Sequence, residues 1–321
     1  GDCKEEILAL NELAKKMRER RFKHGAISFE RSEVKFDIDE NGKPIGTYIK
    51  IAQEANKLVE EFMLLANQTV AESVGKVPKG KTKKTFVYRI HEQPDPERLE
   101  NFSNFISRFG YKLKLTGSKT DMSKGINKLL DNVQGKPEEN LVETLAIRSM
   151  QKARYTTENV GHYGLAIDYY THFTSPIRRY PDMMVHRLLE RYMEGGRSVN
   201  KSKYEEYCDH CSEMEQVAAN AERASVKYKQ VEFMADKIGK VFDGVISGVT
   251  EWGLYVELIA NKCEGLVPIR DLTGEYFDYD EKNYCLVGRR THKTYRLGDT
   301  LSVKIAQANL EKKQLDFVLA E

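Results

Sequence analysis

The sequence predicts an α+β protein in two parts: a mainly helical region over residues 1–237 and a small five-stranded β-barrel over residues 238–321. Two observations carry this. Up to about residue 237, apolar residues recur at helical spacing within long charged segments; beyond it, short runs rich in valine, glycine and aromatics alternate in the two-residue rhythm of strands. At 321 residues the chain is long enough to bury a large core.

In residues 4–21, Ile7, Leu10, Leu13, Ala14 and Met17 fall on one helical face, and Gly25 ends the pattern. Ile27 and Phe29, then Val34, Phe36 and Ile38, alternate with polar residues as strands do. Asn41-Gly42 signals a hairpin turn before a strand at 45–51. Helical periodicity returns over 54–74 through Leu58, Phe62, Leu65 and Ala66, and 85–91 reads as a short strand. Leu99, Phe102, Phe105, Ile106 and Phe109 form a core stripe on a helix over 94–110; two more helices are expected near 122–132 and 138–153. A long charged helix spans 203–237, with Met214, Val217, Ala218, Ala221 and Ala224 on one face.

Residues 161–187, GHYGLAIDYYTHFTSPIRRYPDMMVHR, are the most informative stretch. An apolar-aromatic run, 165–170, reads as the end of a strand and gives way to Thr174-Ser175-Pro176. Thr174 or Ser175 suits an N-cap and Pro176 the first helical position, so a helix is expected to start there with Arg178 and Arg179 in its first turn. Hydroxyls, helix N–H groups and guanidinium groups would then converge on one point, an arrangement suited to phosphate. Asp182 and His186, at helical spacing from Arg178, are expected to form a network that positions it. Pro181 is expected to be tolerated near the helix start or to kink it.

The string resembles the signature segment of the ribonuclease II/ribonuclease R (RNB) family of exoribonucleases. The resemblance implies that Arg178 contacts the RNA phosphate at the reaction centre, with Arg179, Thr174 and Ser175 beside it. It also implies a glutamate near the terminal nucleotides; Glu61, before Phe62-Met63, matches better than Glu60. The bland reading of both glutamates is a solvated helix face. Asn67, six residues on, is expected on a neighbouring face.

The final region resembles the S1-type RNA-binding OB-fold module, on Trp252-Gly253-Leu254-Tyr255-Val256 and Gly265-Leu266-Val267-Pro268. Pro268 stands where many such modules carry histidine. Trp252 and Tyr255 are candidate base-stacking residues and Lys313 a non-specific phosphate contact. Phe242 is counted with Trp252 and Tyr255 in the candidate stacking platform, with burial in the barrel core as its competing reading.

Charged residues make up 31% of the chain, yet its net charge is only +2, so composition alone does not identify a nucleic-acid binder. Basic residues cluster at Lys76, Lys79, Lys81, Lys83 and Lys84 and at Lys312 and Lys313, and a lysine run is most often a solvated loop. Five cysteines without framework spacing point to a reducing, cytoplasmic setting. Cys208 and Cys211 have CxxC spacing but no second pair, which argues against zinc. No apolar run approaches membrane-spanning length.

The resemblance further implies Mg²⁺, held by an aspartate cluster that would lie upstream of this sequence. Neither Asp37-Ile38-Asp39-Glu40 nor Asp278-Tyr279-Asp280-Glu281 has suitable surroundings, so no metal ligand is assigned within the chain. Beginning Gly1-Asp2-Cys3, it reads as a piece of a longer protein, inactive by itself. The expected partner is single-stranded RNA, with no membrane; the expected state is a monomer, associated with ribosomes or the RNA degradation machinery. The competing reading is a non-catalytic RNA-binding protein that keeps the scaffold.

Overall fold

The structure, a computed structural model, describes residues 1–27, 33–78, 80, 82–136, 138–272 and 274–320. Phe29, Lys79 and Lys81 lie outside the described residues. In chain order the elements are α1 (Lys4–Lys23), β1 (Glu33–Ile38), β2 (Pro44–Lys50), α2 (Glu54–Gly75), β3 (Tyr88–Ile90), α3 (Pro96–Ile106), α4 (Lys119–Val133), α5 (Glu139–Ser149), β4 (Arg154–Thr156), α6 (Tyr180–Met193) and α7 (Lys201–Ala235). Strands β5 (Val241–Thr250), β6 (Gly253–Leu258), β7 (Glu264–Pro268), β8 (Phe277–Asp280), β9 (Cys285–Gly288), β10 (Thr294–Arg296), β11 (Thr300–Asn309) and β12 (Gln314–Leu319) follow. The chain forms two compact units. Gly1–Phe29, Ala52–Gln134 and Glu143–Val217 make the first; Glu30–Ile51, Gly135–Val142 and Ala218–Glu321 make the second.

In the first unit, α3 starts where Asp95 accepts hydrogen bonds from the N–H groups of Glu97 and Arg98, with Pro96 in the first turn, where its missing N–H costs nothing. Ser118 and Asp121 form a reciprocal capping box at the start of α4. The core gathers Phe86, Val87, Tyr88 and Ile90 around β3 with Tyr155 of β4, Met184, Val185 and Leu188 of α6, and Cys208 of α7. Burial there raises the Cys208 thiol far above its ordinary range, so it packs as a small apolar group.

Three local expectations are corrected. The apolar stripe of α1 is not a core face: Ile7, Leu10 and Leu13 are exposed and only Ala14 is buried. Burial becomes complete beyond the helix, at Ala26. The run 165–170 is not a strand: Tyr163–Leu165 makes a 3₁₀ turn, Ala166 is left-handed, and His162 N–H bonds to Ile167 O at 2.7 Å. The segment is instead held laterally, Arg89 N–H donating to Tyr170 O at 2.9 Å and Thr171 Oγ1 to Val87 O at 2.7 Å.

The third concerns the signature helix. α6 begins at Tyr180, with Arg179 as its N-cap, and Pro181 is the helix-start proline. A helix running from Pro176 would place Pro181 in its interior, where the ring collides with the carbonyl four residues back. Residues 175–179 form a separate turn instead, the N–H groups of Arg178 and Arg179 donating to Ser175 O at 3.3 and 3.1 Å.

In the second unit, β1 and β2 form an antiparallel hairpin around Gly42. β5, β6, β7, β12 and β11 pair in that order and β11 returns to β5, closing a barrel. β12 and β7 are its parallel pair. Leu254, Val256, Leu258, Val267, Val303, Ile305, Leu315 and Phe317 fill its interior. At Gly253 the backbone has φ +142°, and a Cβ would stand 2.1 Å from Val267 O, so only glycine fits between the strands. β8, β9 and β10 form a separate antiparallel sheet inserted between β7 and β11.

Candidate functional site

The turn at 173–179 is gripped from two sides. From α2, Asn67 reaches it: its Oδ1 accepts from Phe173 N–H at 3.0 Å and Thr174 N–H at 3.3 Å, and its Nδ2 donates to Tyr170 Oη at 3.1 Å. From the first turn of α6, Asp182 Oδ1 accepts from Ser175 N–H at 2.7 Å and Arg179 Nη2 at 2.9 Å. Arg179 Nε also lies 2.9 Å from Asp182 Oδ2, an ion contact whose angle falls outside hydrogen-bond geometry. Asp182 therefore partners Arg179, not Arg178 as its helical spacing suggests. His186 does not join this network: it stacks on Phe173, ring centroids 4.1 Å apart, and its Nε2 lies 2.9 Å from Phe173 O.

Arg178 is exposed at the tip of the turn, and its side chain makes no hydrogen bond or ion pair with a described residue. Beside it Ile177 is entirely exposed. Thr174 Oγ1 is buried with no hydrogen-bond partner among the described residues, and Ser175 contributes its backbone N–H and carbonyl.

A cleft of about 520 Å³ lies against this turn, lined by Glu60, Met63 and Asn67 of α2 together with Tyr170 and Arg179. It therefore holds one carboxylate and one guanidinium. Glu61 points away from it: only 3% exposed, it pairs with Arg21 Nη2 at 2.5 Å. Sequence spacing did not reveal Arg21, which comes from α1, forty residues earlier.

Below the turn lies a cluster of histidines and tyrosines. Tyr155 Oη is 2.8 Å from His172 Nδ1; His162 and His172 both pack edge-on against Tyr170. Burial pulls His172 down to about 2, helped by Arg179 and Arg89, and pulls His162 down to about 3, helped by His91 and Arg89. Burial also lowers His91, whose Nε2 is 2.7 Å from Gln151 O and whose Nδ1 accepts from Gly164 N–H at 2.9 Å. Burial thus favours the neutral form of all three rings, of which His162 and His172 pack on Tyr170 and His91 on His162.

On the barrel, Trp252 stands at the β5–β6 turn, 68% exposed, its carbonyl accepting from Ile269 N–H at 2.9 Å. Tyr255 is half-buried on β6 opposite Gly248, and Phe242 is likewise half-buried. Lys313 is exposed with φ 53° in the turn between β11 and β12. Among the described residues, no three His, Cys, Asp or Glu side chains converge as a metal site, and no helix is long and apolar enough to cross a membrane.

Comparison with known proteins decides the family. The RNB domain family model matches residues 2–195, more than half of the chain. The chain belongs to the RNB family. An S1 RNA binding domain matches residues 235–319. Ribonuclease R of Thermotoga maritima is 41% identical over 97% of this RNB chain and 44% of its own length; Ribonuclease R 1 of Lactococcus lactis is 39% identical over 97% and 38%. The apo form of Mycoplasma genitalium RNase R superposes with a TM-score of 0.89 at 26% identity, covering 98% of this chain and 49% of that one. The same enzyme in complex with ribose methylated single-stranded RNA gives 0.88, also at 26%. This RNB chain thus spans about two fifths of the length of the curated relatives it matches.

Proposed function

We propose that the chain serves a 3′→5′ exoribonuclease that processively hydrolyses single-stranded RNA to nucleoside 5′-monophosphates. The observation that carries this reading is the state of the two arginines: Arg179 is locked to buried Asp182, while adjacent Arg178 is exposed and pairs with no described residue. A fixed turn that presents an exposed guanidinium suits a phosphate whose charge grows during cleavage. Glu60, in the cleft with Arg179, would accept from ribose hydroxyls. Glu61, committed to Arg21, supports it from behind.

The helical part, with its boundary at residues 237/238, would position the RNA 3′ end. The S1-type barrel, whose strand order is that of an OB-fold, would hold RNA further along through Trp252, Tyr255 and Lys313. The described residues do not by themselves fit the divalent metal this chemistry uses. Mg²⁺ would be held by carboxylates outside this sequence, and the chain alone would not cut RNA efficiently. A monomeric, cytoplasmic protein meeting RNA on ribosomes or within the degradation machinery fits this reading. A non-catalytic RNA binder is the second reading, favoured by the same lack of a ligand cluster among the described residues.

Two measurements test it. The chain is titrated with labelled single-stranded RNA at low and moderate salt: binding that falls steeply with salt is expected, and a preference for duplex DNA counts against RNA recognition. A protein of the relatives' full length, given 3′-tailed RNA and Mg²⁺, is expected to release nucleoside 5′-monophosphates from the 3′ end. Intact RNA with normal binding would favour the second reading.

A further inference from the structure

With none of the residues that line the cleft, α1 and α4 enclose a groove of about 660 Å³. Its α1 wall carries Lys15, Arg18, Phe22 and Lys23; its α4 wall carries Lys124 and Lys128. Only two carboxylates, Glu19 and Asp131, share the lining with those five cations. The chain as a whole is nearly neutral at +2, so this is a local concentration of positive charge.

The groove is built rather than incidental. Gly25, at φ +102° just after α1, approaches α4 so closely that a Cβ there would meet Ser123 Cβ at 3.3 Å. Asn127 donates to Ala26 O at 2.7 Å, and Ala26 is fully buried. The end of α1 is thereby fixed against the middle of α4, which sets the separation of the two walls. Lys124 and Lys128 are exposed, one helical turn (about 6 Å) apart, and form no hydrogen bond or ion pair with a described residue. Lys15 and Lys23 are held by neighbouring glutamates of their own helix, Glu12 and Glu19. The Arg18 and Arg21 guanidinium groups lie 5.2 and 5.1 Å from the Phe22 ring centroid. An aromatic ring among cations offers what an unpaired nucleic-acid strand requires, a stacking surface beside phosphate contacts.

We propose that the α1–α4 groove is a second contact site for single-stranded RNA, in which Lys124 and Lys128 hold backbone phosphates and Phe22 stacks a base. The proposal rests on the RNA-binding reading above and adds to it a surface that shares no lining residue with the cleft. An acidic protein segment is the competing occupant; the aromatic ring favours RNA.

The test uses the chain itself, comparing Lys124→Gln/Lys128→Gln with Lys201→Gln/Lys203→Gln, which removes the same charge from α7. All four lysines are exposed, and glutamine keeps helix propensity, so both variants are expected to melt like the parent. Each lost phosphate contact lowers the slope of log affinity against log salt by about 0.7 on a single strand. The groove variant is expected to lose about 1.4 in slope and on the order of tenfold in affinity at 0.1 M salt; the α7 variant is expected to lose far less. Equal losses in both variants, or none in the groove variant, would overturn the groove while leaving RNA binding intact. A parent chain that binds no RNA at any salt would overturn both. Poly-glutamate binding that exceeds RNA binding and vanishes in the groove variant would assign the groove to an acidic protein and overturn the proposal.

Discussion

The carboxylate of Asp182 has no exposed surface; its Oδ1 accepts from Arg179 Nη2 at 2.9 Å and from the Ser175 N–H at 2.7 Å, and its Oδ2 makes an ion contact with Arg179 Nε at 2.9 Å. Asp182→Asn removes the charge that neutralises a mostly buried guanidinium. Breaking one half of a buried pair costs about 3–5 kcal/mol. We expect a clear fall in the thermal midpoint, whereas Arg178→Ala, at an exposed side chain that pairs with no described residue, should stay within about 0.5 kcal/mol of the parent. Equal melting of the two variants would contradict this division of roles.

Asn67 secures the other side of the turn. Asn67→Leu keeps the volume but strands two backbone N–H groups, at about 1–3 kcal/mol each. Amide exchange at Phe173 and Thr174 is expected to accelerate well before global unfolding. Unchanged protection there would mean that Asn67 does not hold the turn.

Acid should loosen the same region. His162 and His172 are lowered to about 3 and about 2, so in the folded protein they stay neutral down to that range, whereas in the unfolded chain they protonate near 6.5. Between about pH 6.5 and 3 the unfolded state therefore binds more protons, and stability falls as pH falls. It is present in full above about 6.5. At pH 5 the loss is about 2 kcal/mol per histidine. Melting curves at pH 7 and 5 should show it, and His172→Gln should flatten the dependence. A midpoint that does not move between those pH values would contradict the buried neutral assignment.

Trp252 is the chain's one tryptophan, so intrinsic fluorescence reports on it directly. Single-stranded RNA is expected to quench it, and Trp252→Ala to weaken binding by about 1–3 kcal/mol, one stacked base. Quenching without loss of affinity in the variant would place RNA near the ring but not on it.

The helices and barrel strands were legible because their apolar periods are long and local. The signature turn was legible as chemistry but not as geometry. Thr174-Ser175-Pro176 carries every mark of a helix start, and Pro181 five residues later decides against it by steric exclusion. Helical spacing joined Asp182 to Arg178; once α6 starts at Tyr180, Arg178 lies outside the helix and Asp182 meets Arg179 instead. Glu60 and Glu61 are adjacent in sequence, and Arg21, arriving from α1, lies 2.5 Å from buried Glu61 but 4.0 Å from exposed Glu60. The apolar stripe of α1 misled because a helical period shows that a face is apolar without showing what covers it.

Under the proposed function, Arg178 acts on the reacting phosphate rather than merely binding RNA. In a protein of the relatives' full length, Arg178→Lys keeps the charge but loses the two-pronged hold on phosphate oxygens. Affinity for a long RNA is spread over many phosphates and stacked bases, whereas charge developing in cleavage is met at one point. Single-turnover degradation and filter binding on the same variant separate the two. We expect a rate about 10²–10³ lower with nearly unchanged affinity; a normal single-turnover rate would remove Arg178 from the reaction centre.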